Sequence, residues 1–235
     1  MQRTGSVSSG QGGIHDRGTW ADYFPAALGA AGLCDSVRWH STVLGLVQGR
    51  AAPGTRLIEV GCGLAAPAIY LSDKGYEVWA IDSSADLVGR AQRTAARMGS
   101  RAHFAVMDLF DMGFGDGAFE VAYNHGVLEH FGDEQIGRAL REMTRIARTV
   151  VVSVPTIHHR VQDYGDERLL PVRQWLRLLE PFRVADVCGW DHSMSWQHDL
   201  FRAWAVLGRR IARGSTEFWH AALFARQVAF VLEAR

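Results

Sequence analysis

The stretch from Leu57 to Ala66, LIEVGCGLAA, constrains this chain more than any other. Apolar Leu57, Ile58 and Val60 enclose one acid, Glu59, and glycines follow at Gly61 and Gly63, so a buried strand turns sharply into a helix. Glycine has no Cβ, which frees φ and lets the backbone approach a ligand closely. A strand, a glycine turn and a helix N-terminus together make a nucleotide site at the carboxyl edge of a parallel sheet. Gly61, Gly63 and Ala66 also satisfy the loose dinucleotide pattern GxGxxA, and that fragment alone leaves the nucleotide open.

The 235 residues suffice for one α/β domain with a sizeable core and are too few for two comfortable ones. Lys+Arg and Asp+Glu both number 25, so no basic excess argues for a phosphate backbone, and no nucleic-acid partner is expected. Lys74 is the only lysine. The cysteines, Cys34, Cys62 and Cys188, are far apart and odd in number, which fits a reducing compartment rather than a disulfide framework or a zinc spacing. No apolar run reaches the ~20 residues that a membrane span needs. The opening residues, MQRTGSVSSGQGG, lack the apolar core of a signal peptide. Residues 1–18 are therefore expected to be disordered, and the chain to be cytoplasmic.

From Thr19 to Gln48 apolar residues recur near helical spacing around a break at Gly32, predicting one or two helices ahead of the sheet. Leu64 to Asp73 reads as a helix that tolerates Pro67 in its first turn. Tyr76–Asp82 is the second strand, and Ser83 or Ser84 caps a helix running to about Met98. Strands follow at Ala102–Met107, Phe119–Asn124 and Val150–Val154, with a helix at Asp133–Ala147 between the last two. Pro171 starts a helix through Leu179, Arg183–Cys188 reads as strand six, and Gln227–Leu232 as a last, antiparallel strand. The expectation is an α/β fold with a doubly wound, mostly parallel seven-stranded sheet. Residues 19–235 form one domain in this reading, with 19–50 as a helical cap and 189–226 as a lid insertion between the last two strands.

Acids close the next two strands as well, at Asp82, nineteen residues after Gly63, and at Asp108. A carboxylate at Asp82 suits ribose hydroxyls in either cofactor class, whereas one at Asp108 has no standard part in dinucleotide binding and could accept from an adenine amino group. With LIEVGCG, VWAID, FAVMD, FEVAYNHGVLEHF and VVVSVP in this order over roughly Arg56 to Thr156, the chain resembles the class I S-adenosylmethionine-dependent methyltransferases, of small-molecule type. The resemblance implies S-adenosyl-L-methionine as cofactor and a small-molecule acceptor as partner, and it suits an antiparallel seventh strand beside the fifth. It implies that Gly61 and Gly63 admit the methionine part and ribose, with Cys62 between them. Glu59 orients that loop, Asp82 and Ser83 take the ribose, and Asp108 and Leu109 take the adenine. The backbone near Asn124 and His125 takes the methionine end.

A sulfonium methyl is already activated, so transfer to an O or N atom is an in-line displacement in which positioning can supply ~7 to 11 kcal/mol. A base matters when the acceptor arrives protonated, and histidine is poised for that near neutral pH. His125, His130 and His158, with His159 beside them, follow strands four and five, where sites occur in such sheets, and are the candidate catalytic residues. Some relatives place metal ligands in Glu-x-x-Glu-His. Here Gly126 stands at the first position before Glu129 and His130, so one ligand is missing and no metal is expected. Trp190 and Trp196, flanking His192 in a loop-like stretch, could line an acceptor pocket or pack the lid. The run YGDER, Tyr164 to Arg168, carries no assigned role. Two other functions stay open on the residues: an NAD(P)-dependent oxidoreductase using GxGxxA, and a non-catalytic S-adenosylmethionine binder.

Overall fold

Apolar side chains on both faces of the central strands force helices onto both sides of the sheet. The computed structural model describes residues 20–159, 166–192 and 225–234. Helices α1 (Trp20–Tyr23), α2 (Ala30–Trp39) and α3 (Ser41–Gln48) precede β1 (Arg56–Val60). There follow α4 (Ala66–Asp73), β2 (Glu77–Asp82), α5 (Ala85–Met98), β3 (His103–Val106), β4 (Phe119–His125) and a 3-10 turn at Leu128–His130. The chain continues through α6 (Asp133–Ile146), β5 (Ala147–Pro155), α7 (Val172–Leu179), β6 (Arg183–His192) and β7 (Ala225–Glu233). The seven strands lie in the order β3-β2-β1-β4-β5-β7-β6, with β7 antiparallel to both β5 and β6 and the other pairs parallel. This is the doubly wound, mostly parallel sheet that the alternation of elements predicts.

Alternate residues of each strand feed two cores. Ile58 and Val60 pack with Ile136, Leu140 and Met143 of α6 and Trp175 of α7, whereas Leu57 packs with Val43 and Val47 of α3 and Ala68 and Leu71 of α4. Both long helices begin where the backbone finds a cap: Ser84 Oγ accepts the Leu87 N–H at 3.3 Å, and the Gly132 N–H donates to Gln135 Oε1 at 3.1 Å. Helix α5 ends at Gly99, whose φ of +66° is open to glycine at little cost.

Several boundaries differ from the periodicity. Gly32 lies inside α2, and the break falls instead at His40, where Nδ1 bonds the Ser36 carbonyl at 2.7 Å. Helix α4 starts at Ala66 because Ala65 adopts φ +56°. Strand β6 runs on to His192, since pairing with β7 from Ala225 satisfies its backbone, so Trp190 is a strand residue rather than part of a loop. The segment between these strands is thus 193–224. It lies outside the described residues, as do Tyr164, Trp196, Trp204, Trp219 and residues 1–19.

The loop between β3 and β4 is fixed by two side chains of α6, Arg145 and Glu142, whose Oε1 accepts the Met112 N–H at 2.8 Å. Arg145 on α6 donates to the carbonyls of Met112 and Phe114 and to Glu142 and Asp116, at 2.6 to 2.9 Å, while its own carbonyl accepts the Gly117 N–H. The guanidinium holds the Glu142 carboxyl below its ordinary range. Because Arg145 is a third exposed, solvent tempers each bond, and Arg145→Met should cost about 1–2 kcal/mol in urea unfolding while leaving the strand content by circular dichroism unchanged.

Candidate functional site

The turn after β1 is built from three donors and two acceptors. The Gly61 and Cys62 N–H groups both donate to the Ile81 carbonyl at 2.9 Å, and the Gly63 N–H donates to Asp82 Oδ2 at 2.9 Å. Asp82 Oδ1 accepts the Ser84 N–H at 2.9 Å, so one carboxylate joins the glycine turn to the start of α5. Gly61 and Gly63 have φ of +72° and +51°. A Cβ on Gly61 would stand 2.6 Å from Val127 Cγ2, and one on Gly63 would stand 3.3 Å from the Phe24 ring. The glycines thus admit protein side chains as well as a left-handed turn, a packing demand that the motif alone did not reveal.

Glu59 leaves β1 toward this turn, 6% exposed, and its Oε2 accepts the Ala68 N–H at 3.0 Å and the Tyr123 hydroxyl at 3.5 Å. It pins the first turn of α4 to the sheet. Burial raises its carboxyl to about 8 in spite of those donors.

Beyond the turn lies a cavity of about 400 Å³ at the carboxyl edge of the sheet. Glu59, Gly61, Cys62, Gly63, Asp82 and Ser83 line one wall. Leu87, Met107 and Leu109 form an apolar flank, and Phe24 covers the turn. Arg90 on α5 fastens that cover by donating to the Ala21 and Phe24 carbonyls, both at 2.8 Å. Asp108 stands just outside the lining, exposed, with Oδ1 accepting the Phe110 N–H at 2.9 Å. Asn124 is fully buried, and its amide turns toward Met143 Sδ on α6, so its side chain is not part of the lining.

The same cavity is lined by His125, Glu129, His130, His159, Glu167 and Gln227. His158 is not in this wall; its N–H donates to Thr156 Oγ1 at 3.1 Å. His125 Nε2 accepts the Trp39 Nε1–H at 3.2 Å, which puts the proton of the neutral ring on Nδ1. Burial, with His40 and His159 nearby, holds His125 well below the ordinary histidine range, so it presents a hydrogen-bond donor. Trp190 backs this ring from β6, its centroid 5.4 Å away, and donates Nε1–H to Ser153 Oγ at 3.2 Å. It supports the wall and does not line it. His130 is arranged differently. Its Nδ1 lies 2.7 Å from Asp166 Oδ1 and Trp20 meets its ring edge-on, so the carboxylate orients the imidazole with Nε2 as the basic nitrogen. Asp166 and Glu167 belong to the YGDER run, and Trp39, His40 and Gln227 carried no motif signal; the topology alone brings them together here.

Gly126, at the turn after β4, has φ +71°, and a Cβ there would meet Glu129 Oε1 at 3.6 Å. Glu129 is 3% exposed, and burial first, then the Glu167 and Asp166 carboxylates, raise its carboxyl to about 8. An unfolded chain ionises this group from about 4.5, whereas the fold keeps it protonated until about 8, so stability falls as pH rises through that window. In the ligand-free protein Glu129→Gln should flatten the decline of Tm between pH 5 and 8.5, measured against wild type by scanning calorimetry. An unchanged slope would place the burdened acid elsewhere.

Residues 57–149 match the family model described as a methyltransferase domain. Ajmaline N-methyltransferase of Rauvolfia serpentina is 31% identical over 120 residues, 49% of this chain and 40% of that protein. Tocopherol O-methyltransferase, chloroplastic, of Arabidopsis thaliana is 32% identical over 145 residues, 58% of this chain and 40% of that protein. The chain thus spans about 40% of the length of these curated relatives. A solved structure of magnesium protoporphyrin IX methyltransferase from Synechocystis PCC 6803 with bound SAH aligns at TM-score 0.60 and 16% identity, covering 91% of this chain and 90% of that one. That likeness speaks to the fold. Nothing in these matches favours the dinucleotide alternative. Residues 57–149 are thus similar to a methyltransferase domain, and the seven-stranded sheet that contains them shares the fold of that solved methyltransferase structure.

Proposed function

We propose that this chain moves the methyl group of S-adenosylmethionine to an oxygen or nitrogen atom of a small-molecule acceptor by in-line displacement. One observation carries the reading: a single cavity is lined both by a glycine turn with carboxylates, suited to the donor, and by histidines, further carboxylates and aromatic rings. The N- and O-methyltransferase relatives support the range of acceptor atoms.

The residues present fit the cofactor. Each carboxylate oxygen of Asp82 has spent one lone pair on a backbone N–H, which leaves acceptor capacity for two ribose hydroxyls. Met107, Leu109 and Leu87 offer an apolar slot for a base, with Asp108 at its rim to accept an amino proton. Glu59 acts through the turn it braces, and the main chain at Asn124 and His125 would meet the methionine end. When bound, the cofactor supplies a methyl group on a positively charged sulfur. The protein's share is then to hold an acceptor atom in line with that bond and to receive a proton. The His130–Asp166 pair suits the second task, because the contact at Nδ1 orients the ring with Nε2 as the nitrogen that takes the proton. His125 suits donation to an acceptor oxygen or nitrogen. His158 would act only from outside the wall.

Ligand binding at 100 times its dissociation constant stabilises a fold by ~2.7 kcal/mol. S-adenosylmethionine and S-adenosylhomocysteine should therefore raise Tm by several degrees, and NAD(P) should not; a shift with NAD(P) alone would overturn the reading. Asp82→Asn keeps one acceptor oxygen for the turn and should weaken S-adenosylhomocysteine binding at least tenfold by calorimetry.

A further inference from the structure

At the acceptor end of the cavity two side-chain oxygens have no hydrogen-bond partner, beside one unmatched ring donor, His125 Nδ1, and no described Lys or Arg lines it. Glu129 Oε2, from the 3-10 turn, and Gln227 Oε1, from β7, have no hydrogen-bond partner, and the two residues are 3% and 5% exposed. Buried polar atoms in native proteins are nearly always paired, so two in one cavity wall mark a place for donors that a ligand brings. They arrive from elements far apart in sequence, which makes a shared local distortion a poor account. Among the described residues that line the cavity there is no Lys or Arg, while Glu59, Asp82, Glu129 and Glu167 all do. A carboxylate or phosphate on the acceptor would enter a largely buried wall that offers no Lys or Arg as counter-charge. An N–H-bearing cation meets the opposite situation. Trp20, Trp39 and Phe131 line the same region and supply apolar surface, with faces that attract a cation.

We propose that the acceptor is an amine carried on an apolar or aromatic body, its nitrogen held by Glu129 and Gln227. This inference rests on the methyl-transfer reading and narrows it to nitrogen. Glu129 accepts one N–H, as a charge-assisted bond when the amine is protonated, and Gln227 accepts a second. The ammonium first passes a proton to the ionised Glu129 carboxylate; the nitrogen lone pair so freed forms the N–C bond as the C–S bond breaks with its electron pair left on sulfur, and the excess N–H proton of the product passes to His130. The raised carboxyl of Glu129 agrees with this assignment, since an acid near 8 exchanges a proton with an alkylammonium more readily than an ordinary carboxylate does.

The matched trio benzylamine, benzyl alcohol and benzoate tests this on the full chain saturated with S-adenosylhomocysteine, by calorimetry at pH 8. Benzylamine should bind at least tenfold more tightly than either analogue, and tritiated methyl transfer from S-adenosylmethionine should be detectable to benzylamine only. Glu129→Gln should reduce the preference at least fivefold and Gln227→Leu by a smaller factor, with S-adenosylhomocysteine affinity unchanged in both. Equal or tighter binding of benzoate or benzyl alcohol overturns the inference, as does absence of benzylamine binding at 10 mM. A preference that survives both substitutions overturns the assignment to these residues. If S-adenosylhomocysteine itself fails to bind, the methyl-transfer reading fails; if it binds and the amine preference is missing, only the amine inference does. Should Glu129→Gln not fold, Gln227→Leu and the wild-type comparison decide.

Discussion

Two consecutive amide protons, from Gly61 and Cys62, end on the single carbonyl of Ile81, and the next strand residue, Asp82, takes the amide of Gly63. This convergence decides where the chain can go after β1. It turns the backbone across the carboxyl end of β2, to which β1 stays paired as far as Val60 and Ile81. The cavity, its donor wall and the cover formed by Phe24 all follow from that turn. The same atoms fold the loop and remain on the cavity surface, so structural and ligand-binding roles are not separable at Asp82.

The sheet was legible because its signal is periodic and local. Apolar runs bounded by Gly, Pro and Asp marked all seven strands, and buried faces of α5 and α6 repeat at helical spacing. Pairing was harder to see. Strand β6 gains four residues beyond Cys188, and β7 two before Gln227, because each supplies the other's backbone partners, a non-local reward that no window of sequence contains. The donor wall was equally legible, since glycines and strand-closing acids carry a motif. The acceptor wall was only half so. His125 and His130 follow β4 in sequence, but Trp39 comes from α2, Asp166 from the stretch before α7 and Gln227 from β7, and only the packed topology brings them together.

Burial sets the chemical character of the site more than any single ion pair. Glu59 and Glu129 are both raised to about 8 by desolvation, one braced by an amide and a tyrosine, the other near further carboxylates. His125 is lowered by the same cause. The cavity thus holds several groups in their neutral forms, and its polarity is expressed through hydrogen bonds more than through charge. His130 is set apart as the histidine whose Nδ1 is held by a carboxylate, Asp166.

The left-handed backbone at Gly126 bears on how this site can change by mutation. A glutamate there would complete a two-acid pattern with Glu129, yet it would have to hold a Cβ at φ +71°, about 1 kcal/mol worse than glycine, and bring a second carboxylate beside a first that is already protonated by its surroundings. A single codon change is therefore a poor route from this turn to a two-carboxylate site. The backbone would have to be rebuilt first, so the lone acid at 129 is locked in by the path of the main chain as much as by the choice of side chain.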